Sequence, residues 1–523
     1  MLKCVISLIL FTSSFYDNVV LSSELNKPNV LFIMLDDFRS GIKALGDDLA
    51  KTPNIDKIVE KSFYFSNIYA QQALCAPSRN SMLTSRRPDS LMTYNFQHYW
   101  RSFAGNYTTL PQYFKENGYR TESIGKIFHH GPSSNKTDDY PYSWSNPTYI
   151  PSTQEYRNKP VCKSSNGSLN RNLLCAVVVD FQPECTLPDI QSTEKAIEFL
   201  KERKKITSMP YFLGLGFYKP HIPFKIPIEF LKMHNVEDFM ENHLRPFDIP
   251  LVAWNPYNDL RERDDVKYLN ISYPFGPIPT EFAARIRQHY YASISYVDSL
   301  IGRIMELVDF SNTVIILTSD HGWSLGEHSE WSKYSNYEVS LKVPLIVYNP
   351  KLPQNTVAKI NYIAELIDIF PTLIDVAGLP KIPKCPNLLT YEEEKITCTE
   401  GKSLYGKMLN YNVTIDADRD MEGIAFSQYP RPDIYPSKIP DSDQPKLKEI
   451  KIMGYSIRTN RFRYTAWIKF NNKKFKRNWE KIFGEELYDH SFDPDENINL
   501  INRSPELNQV RDQLKRQMMK KFP

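Results

Sequence analysis

The sequence lacks several features that would assign it to a specialised class of protein. Its 523 residues carry a net charge of only +3 at pH 7, so no basic excess indicates a nucleic-acid partner. It has no internal repeat and no low-complexity segment, which excludes repeat architectures. With 41% hydrophobic residues the chain can bury a large core, and its length favours more than one domain.

Long apolar runs are scarce, and the run at the N-terminus is too short to cross a membrane. Lys3 is followed by apolar residues up to Phe11 and then by small residues near Ser14 and Ser23, a pattern typical of a secretory signal peptide. We predict a signal peptide over residues 1–23. No later segment could span a membrane, so we expect a soluble protein of the secretory route.

Potential glycan acceptors agree with that route. Asn-x-Ser/Thr sequences occur at Asn106, Asn135, Asn166, Asn270, Asn412 and Asn502. The pattern is short enough that some of these matches arise by chance. Which of the six acceptors are used is therefore left open.

Cysteine is also scarce, with seven residues, of which Cys4 falls in the predicted signal peptide. The pairs close enough in sequence to close small loops are Cys162 with Cys175 and Cys385 with Cys398. An oxidising compartment would allow both disulfides, although another pairing is not excluded. Cys75 and Cys185 remain, and Cys75 is the more unusual because of the residues that follow it.

Three strongly apolar runs predict buried strands, and polar residues follow each run. The runs are residues 30–35 followed by Asp36 and Asp37, residues 211–217 followed by His221, and residues 313–318 followed by Asp320 and His321. Open α/β sheets bind ligands at the carboxyl ends of their strands, and carboxylate oxygens suit Ca²⁺ or Mg²⁺. Taken singly, the paired aspartates could form a solvated turn or a helix N-cap, and the histidine could be structural.

Other patterns predict the remaining elements. We predict helices beginning near Thr52 and over residues 110–117, 192–204, 279–308, 360–378 and 505–521, and strands over residues 62–69, 343–347 and 486–489. Residues 135–187 predict an irregular surface loop. Prolines between 429 and 445 indicate a boundary, after which residues 450–458 and 461–469 predict an antiparallel hairpin.

The segment 74–89 reads Leu-Cys-Ala-Pro-Ser-Arg-Asn-Ser-Met-Leu-Thr-Ser-Arg-Arg-Pro-Asp. Its cysteine, Cys75, could simply be a buried structural residue at a junction between a loop and a helix. The neighbouring motifs argue against that reading. In chain order they are Asp-Asp, Cys-x-Pro-Ser-Arg, Gly-Lys-x-Phe-His, Lys-Pro-His, Ser-Asp-His-Gly and Trp-x-Lys.

This order of motifs resembles the type I, formylglycine-dependent sulfatases of the alkaline-phosphatase superfamily. The resemblance implies an α/β fold of the alkaline-phosphatase type, with a large mixed, mostly parallel sheet flanked by helices. It also implies a smaller C-terminal α+β subdomain with an antiparallel sheet. We accordingly predict a catalytic sulfatase domain over residues 24–428 and a C-terminal subdomain over residues 429–523.

The resemblance also implies roles for individual residues. In the family the cysteine is oxidised to formylglycine, whose hydrated form is the nucleophile, and this would be the fate of Cys75. The implied ligands of one calcium ion are Asp36, Asp37, Asp320, His321 and an oxygen of the modified Cys75. The implied residues around the sulfate are Arg79, Lys126, His129, His221 and Lys333, with His221 a candidate for protonating or orienting the leaving oxygen. A plain serine or cysteine would be left as a stable sulfate ester.

The sugar subsite is less well defined by the sequence. Trp323, Tyr334 and Tyr94 are the implied substrate contacts. Met92 stands where a basic residue is expected, which leaves open how the neighbouring sugar or a uronate carboxylate is held.

Four stretches, residues 86–89, 320–336, 426–432 and 451–459, are similar to family members that remove the 2-sulfate from L-iduronate. Those members act at the non-reducing ends of dermatan sulfate, heparan sulfate and heparin. The alternatives are a sulfatase for another sulfated sugar or an aryl sulfate, a non-catalytic glycosaminoglycan-binding relative, and a phosphohydrolase. A phosphohydrolase would more naturally carry Ser or Thr at position 75, and the intact nucleophile and metal set argues against a non-catalytic relative.

The expected partners follow from the same resemblance. They are sulfated glycosaminoglycan oligosaccharides as substrate and the formylglycine-generating enzyme during maturation, with no nucleic acid and no membrane span. We expect a monomer. Delivery to the lysosome is the expectation for localisation, and secretion is its competitor because no residue pattern encodes the address.

Overall fold

The structure is a computed structural model that describes residues 27–163, 167–206, 208–352, 354–386, 397–411 and 423–523. The predicted signal peptide, Cys4 and the acceptors Asn166 and Asn412 lie outside these ranges. The other four acceptors are exposed. Within the described ranges, no helix has the length and apolarity needed to cross a membrane.

The strands are numbered along the chain. They are β1 Asn29–Asp36, β2 Phe63–Tyr69, β3 Arg120–Gly125, β4 Cys162–Lys163, β5 Leu169–Asn170, β6 Leu174–Val177, β7 Tyr211–Pro220, β8 Phe224–Pro227, β9 Thr313–Ser319, β10 Ser324–Leu325, β11 Trp331–Ser332, β12 Lys342–Tyr348, β13 Ala358–Glu365, β14 Ala425–Arg431, β15 Ile452–Arg458, β16 Phe462–Asn471 and β17 Lys476–Asp489.

The α-helices are numbered in the same way. They are α1 Pro53–Val59, α2 Cys75–Thr84, α3 Pro88–Leu91, α4 Trp100–Phe103, α5 Leu110–Glu116, α6 Pro188–Arg203, α7 Ile228–Leu231, α8 Asn258–Arg261, α9 Asp264–Lys267, α10 Thr280–Met305, α11 Glu338–Leu341, α12 Ile369–Ala377, α13 Tyr405–Leu409 and α14 Pro505–Lys521. Short 3₁₀ helices cover Lys43–Leu45, Pro132–Ser134, Ser152–Tyr156, Val179–Phe181, Pro183–Cys185, Val236–Phe239, Glu327–Ser329, Leu366–Asp368 and Leu447–Glu449.

A seven-stranded sheet forms the centre of the molecule, in the order β13-β2-β12-β9-β1-β7-β3. Strand β1 pairs in parallel with β7 and β9, and β3 pairs in parallel with β7. Strand β12 runs antiparallel to both of its neighbours, β2 and β9. The large mixed, mostly parallel sheet that the motifs implied is therefore confirmed.

Strand β1 is buried on both faces, as its continuous apolar run predicts. Leu31, Ile33 and Leu35 pack into one core layer with residues of α1, α6 and α10. The alternate side chains, such as Phe32, pack into a second layer with residues of α2, α5 and α12. Burial of each large apolar side chain contributes roughly 1.5–3 kcal/mol, so the two layers together fix the position of the strand that leads to Asp36.

Residues 360–378 do not form the single helix that the sequence analysis predicts. Their first part is the edge strand β13, and only Ile369–Ala377 is α-helical. The pairing of β13 with β2 is irregular between Ile360 and Ile363, so that three positions on β13 match two on β2. That extra residue leaves both isoleucines buried at a spacing of three, which is also the spacing typical of a helix.

The C-terminal sheet is antiparallel, in the order β14-β15-β16-β17. The predicted hairpin is confirmed as β15 and β16, with Arg458 paired to Arg463. Helix α14 packs on this sheet through Leu514 and Met518. The edge strand predicted near residues 486–489 is longer than expected and spans Lys476–Asp489.

The proposed division of the chain at residue 428 stays a prediction, and β14 crosses that position. A further apolar cluster joins the two sheets, with Leu74 and Tyr334 on one side and Tyr429, Trp467 and Tyr488 on the other. The disulfides Cys162–Cys175 and Cys385–Cys398 are both present, as predicted.

Candidate active site

The ends of β1 and β9 bring the predicted acidic residues together. Leu35 pairs with Ser319 in the parallel register, so the two strands end side by side and Asp36 and Asp320 follow at the same sheet edge. The Ser319 hydroxyl donates to the carbonyl oxygen of Leu35 at 3.0 Å and ties the two ends together. Asp37 has a φ of 63°, and its backbone N–H donates to Asp320 Oδ1 at 3.1 Å.

Cys75 is the first residue of α2, a helix in which every side chain is buried. Pro77 lies in the first turn, where its missing N–H costs no helical hydrogen bond. The hydroxyl of Ser78 donates to the carbonyl oxygen of Asp320, which fixes the start of the helix against the end of β9. The Cys75 thiol therefore lies at the sheet edge, with its Sγ 3.9 Å from Asp37 Oδ1.

Arg79 is four residues after Cys75, so the two side chains lie on the same face of α2. Its guanidinium is fully buried and joins two carboxylates, with Nη2 2.9 Å from Asp36 Oδ1 and Nε 2.8 Å from Asp320 Oδ2. It also donates to the carbonyl oxygen of Ile127 at 3.0 Å. This arrangement locks the helix that carries Cys75 to the ends of both strands.

Two lysines from other parts of the chain complete the ion pairs. Lys126 follows β3 and places Nζ 2.5 Å from Asp36 Oδ2. It reaches this position because β7 has a glycine beside it: a Cβ built on Gly216 would lie 2.0 Å from the carbonyl oxygen of Lys126. Lys333 Nζ lies 2.8 Å from Asp37 Oδ1 and 3.1 Å from Cys75 Sγ.

The surroundings give the two adjacent aspartates different pKa values. Burial opposes ionisation of Asp36, but the charges of Lys126 and Arg79 hold its pKa well below the ordinary value. Burial raises the pKa of Asp37, and the charge of Lys333 only partly offsets that effect. Burial, followed by the negative charge of Asp36, raises the pKa of the Cys75 thiol to about 12. An unmodified Cys75 is therefore a protonated thiol and a weak nucleophile.

The site has the donor atoms that a bound cation needs. Asp37, Cys75, Asp320 and His321 each offer one ligand atom, and these four atoms lie within 4.8 Å of one another. Asp37 Oδ2 and His321 Nε2 are buried and have no hydrogen-bond partner. A buried carboxylate oxygen and a buried ring nitrogen without partners are costly unless something binds them, so the residues present fit a metal ion.

His221 lies beside this cluster, with Nε2 3.8 Å from Asp37 Oδ2. Its Nδ1 lies 2.6 Å from the carbonyl oxygen of Ile222 and so carries the proton, which leaves Nε2 as the acceptor. Burial, followed by the positive charges of Arg157 and Lys333, holds the pKa of His221 well below its ordinary value. In this structure His221 is a neutral imidazole.

His129 lies close to Lys126. Its ring stacks on Phe96 with the centroids 4.2 Å apart, and its Nδ1 has no hydrogen-bond partner. Burial, followed by the charge of Lys126, holds the pKa of His129 well below its ordinary value. The histidine is therefore neutral and available to a ligand beside Lys126.

The three aromatic residues predicted to contact substrate have different positions. Trp323 is 1% exposed and stacks on Tyr290, whose hydroxyl donates to the carbonyl oxygen of Asp37 at 2.8 Å. Trp323 thus supports the end of β1 from within the core, and its contact with a sugar stays a prediction. Tyr334 directly follows Lys333 in the chain, and its hydroxyl donates to Asp259 Oδ2 at 3.0 Å.

The structure places Tyr94 in the core of the C-terminal sheet, and its contact with substrate stays a prediction. Tyr94 is 1% exposed and belongs to the core of the C-terminal sheet. Its ring packs against Phe470 and Phe475, with centroids 5.7 and 6.4 Å away. Its carbonyl oxygen accepts a hydrogen bond from Gln72 Nε2 at 2.8 Å, so the backbone of Tyr94 lies beside the segment that leads to Cys75 while the side chain packs into the C-terminal core.

Sequence reasoning missed two residues that contact the site. Tyr290 lies on α10, where an aromatic residue at helical spacing cannot be told from a core residue. Arg157 lies in the loop predicted to be irregular, and its Nη2 is 3.3 Å from His221 Nε2. No local pattern marks either residue, because each reaches the site through long-range packing.

The comparisons with known proteins agree with this geometry. A family model described as Sulfatase matches residues 28–379. The chain is 46% identical to the iduronate 2-sulfatases of Mus musculus and Homo sapiens, over 509 and 508 residues, and each match covers 91% of both chains. A structure solved in complex with its substrate D-glucosamine-2-N,6-O-disulfate matches with a TM-score of 0.64 at 20% identity, covering 95% of this chain and 98% of that one. The last likeness concerns the fold alone, which is the predicted alkaline-phosphatase-like fold.

Proposed function

This chain belongs to the sulfatase family and is a sulfuric ester hydrolase, and we propose that it removes the 2-sulfate from L-iduronate. The proposed substrates are non-reducing ends of dermatan sulfate, heparan sulfate and heparin. The observation that carries the proposal is a buried cluster at the sheet edge. It consists of Cys75, Lys333 and the four proposed ligand residues Asp36, Asp37, Asp320 and His321. It occurs in a chain 46% identical to proteins named iduronate 2-sulfatase along nearly its whole length.

We propose that one Ca²⁺ is held by Asp36, Asp37, Asp320, His321 and an oxygen of modified Cys75. Oxygen-rich ligand sets suit this hard cation, which supplies positive charge that polarises bound oxygen atoms. Burial raises the pKa of Asp37, and the charge of the ion would favour its ionised form. His321 offers its unpartnered Nε2.

The same proposal requires oxidation of Cys75 to formylglycine, which when hydrated supplies a hydroxyl nucleophile and a second hydroxyl for releasing sulfate. The thiol itself is a poor substitute because its pKa is raised to about 12. The formylglycine-generating enzyme is therefore a proposed partner during maturation. The chain would reach the lysosome through the secretory route.

The cations around Cys75 would bind the sulfate and stabilise the negative charge that develops on its oxygens. Arg79, Lys126 and Lys333 are buried and fixed by carboxylates, so they need little reorganisation when a substrate enters. His129 would add a neutral donor beside Lys126. The low pKa of His221 favours a role in orienting the leaving oxygen, and protonation of that oxygen would require His221 first to take up a proton.

Hydrolysis of defined disaccharides tests the proposed substrate. The purified protein should release sulfate from a disaccharide that ends in 2-sulfated iduronate and not from one that ends in 6-sulfated glucosamine. A Cys75→Ala variant, prepared in parallel, should be inactive on both and controls for contaminating sulfatases. Preference for the 6-sulfated disaccharide would leave the family assignment intact and overturn the proposed sugar.

A further inference from the structure

A cavity opens beside His221. Its walls include Asp36 and His221, so it borders the candidate active site. The loop that contains Tyr156 and Arg157 forms one wall, and the residues that follow β7 form another. The disulfide Cys162–Cys175 links two positions that follow this loop in the chain.

Three cations line this cavity, and no carboxylate pairs with them in the part of the chain that the structure describes. Lys219 Nζ donates to the carbonyl oxygen of Pro223 at 2.6 Å, and Lys225 Nζ donates to that of Tyr156 at 2.9 Å. The guanidinium of Arg157 makes its described contacts through Nη2 with the ring of His221. Backbone oxygens and a neutral ring thus solvate these groups without neutralising their charge.

The acidic groups in the same walls are already engaged. Asp36 binds Arg79 and Lys126, and the carboxylate of Asp189 accepts the backbone N–H groups of Tyr218 and Lys219 at 2.7 and 3.1 Å. Burial lowers the pKa of Lys219 to about 7. The negative charge of Asp189 opposes this shift, and the positive charges of Arg157 and Lys225 add to it. Burial, together with Arg263, lowers that of Lys225 to about 8. Cations that repel one another in a half-buried cavity would be stabilised by an anion.

We propose that this cavity binds a second anionic group of the substrate, separate from the sulfate that is cleaved, and that Arg157 is its main donor. Arg157 lies one side chain beyond His221, which itself borders Asp37, so a sugar bound at the cluster would reach it. A guanidinium presents parallel N–H groups that match a carboxylate or a sulfate. The inference rests on the proposed sugar sulfatase function. It gives the substrate a basic residue for its second anion, which position 92, a methionine here, does not provide.

The anion could be the carboxylate of the sulfated uronate or a sulfate on the adjoining hexosamine. Both present the same charged oxygen atoms, and substrates can separate them. A disaccharide without the hexosamine sulfate tests the second source, and a disaccharide with its uronate carboxyl reduced to an alcohol tests the first. If Arg157 binds the group that a disaccharide lacks, substitution of Arg157 should no longer lower kcat/KM on that disaccharide.

The test compares Arg157→Gln with Lys159→Gln, an exposed lysine in the same loop. Substrates are the anionic disaccharide and 4-methylumbelliferyl sulfate, which has no second anion. Loss of a charge-assisted contact should lower kcat/KM on the disaccharide about 10- to 100-fold more than on the aryl sulfate. Arg157→Lys should restore part of the loss, and Lys159→Gln should alter neither activity. Equal losses on both substrates would overturn the proposal, because Arg157 would then act only through His221.

A competition experiment keeps this test separate from the proposed substrate. Free uronic acid should inhibit aryl sulfate hydrolysis by the wild type more strongly than its carboxyl-reduced analogue does. Arg157→Gln should remove that difference. If the protein proves inactive on 2-sulfated iduronate, the competition still reports on the cavity. Equal inhibition of the wild type by the acid and its neutral analogue would contradict binding of the uronate carboxylate. The hexosamine sulfate would then be the anion to test with the disaccharides.

Discussion

Two groups of buried carboxyls in the molecule are held in opposite ways. In the active site Arg79 joins Asp36 and Asp320, and Lys126 adds a second cation to Asp36. Between the two sheets lie Glu330, Asp443 and Glu486, the interface carboxyls, which accept hydrogen bonds from neutral donors such as Asn255 N and Trp467 Nε1. Burial alone therefore does not determine whether a carboxyl group is ionised.

The contrast is clearest in the arginines. Arg431 lies near the interface carboxyls, but its guanidinium donates to the carbonyl oxygens of Val252, Ala253 and Tyr334. Burial accordingly raises the pKa of Glu330 to about 8 and those of Asp443 and Glu486 to about 7. Asp36, with its own cations, keeps a pKa well below the ordinary value. Two paired cations hold the pKa of Asp36 low, whereas the single pair with Lys333 leaves the pKa of Asp37 raised.

The largest expected effect comes from removing the nucleophile. Cys75→Ser should lower kcat by at least about 10⁴-fold, because serine lacks the second hydroxyl that releases sulfate. Its melting temperature should stay close to that of the wild type, since the side chain keeps its size. Sulfate release and thermal unfolding of the same sample check both statements. Wild-type turnover by the serine variant would contradict the proposed chemistry.

Breaking an ion pair at the active site should cost stability as well as activity. Asp36→Asn leaves Arg79 and Lys126 buried with less compensating charge, which should cost about 3–5 kcal/mol in the free energy of unfolding. Denaturant unfolding measures the loss. Asp48→Asn, which removes an exposed partner of Lys43, is the matched control and should leave the free energy of unfolding nearly unchanged. Similar losses in the two variants would show that the site's pairs are no stronger than surface pairs.

Removing calcium should act on Asp37, the proposed ligand whose pKa burial raises. Chelation should lower the melting temperature, and added Ca²⁺ should restore it, with a stabilisation of about 2.7 kcal/mol at a concentration 100 times Kd. Asp37→Asn should abolish this response. Since the pKa of Asp37 is raised, protons compete with the ion, and the response should weaken at acid pH. An unchanged calcium response in Asp37→Asn would place the ion elsewhere.

The interface carboxyls should make the protein more stable in acid than at neutral pH. A folded-state pKa near 8 for Glu330, against an ordinary value of 4.5, means that the folded chain binds more protons between these values. Stability is then fully present below about pH 4.5 and is lost as pH rises towards 8.

Glu330→Gln holds this side chain in a neutral form at every pH. It should reduce the loss of unfolding free energy between pH 5 and pH 8 by about 1–3 kcal/mol, as measured by denaturant unfolding at both values. Glu60→Gln, at an exposed position, should leave the pH dependence unchanged. If Glu330→Gln instead destabilises the protein equally at both pH values, Glu330 is ionised in the fold.

The sequence predicted those parts of the fold and site that local patterns encode. Apolar runs located β1 and β9, and the polar residues after them meet at one sheet edge. Ile360 misled the helix prediction because a bulge gives an edge strand helical spacing. Tyr94 and Arg157 lay beyond prediction, since one is buried by a sheet formed some 350 residues later and the other reaches His221 from a loop without periodicity.

The central claim is that residue 75 is a formylglycine in the active protein. Trypsin should release Ser62–Arg79, a peptide whose single cysteine position is 75. In an active preparation, mass spectrometry should show this peptide with an aldehyde in place of the thiol, reactive towards hydrazide reagents. A fully active preparation in which that peptide carries only an unmodified thiol would contradict the account.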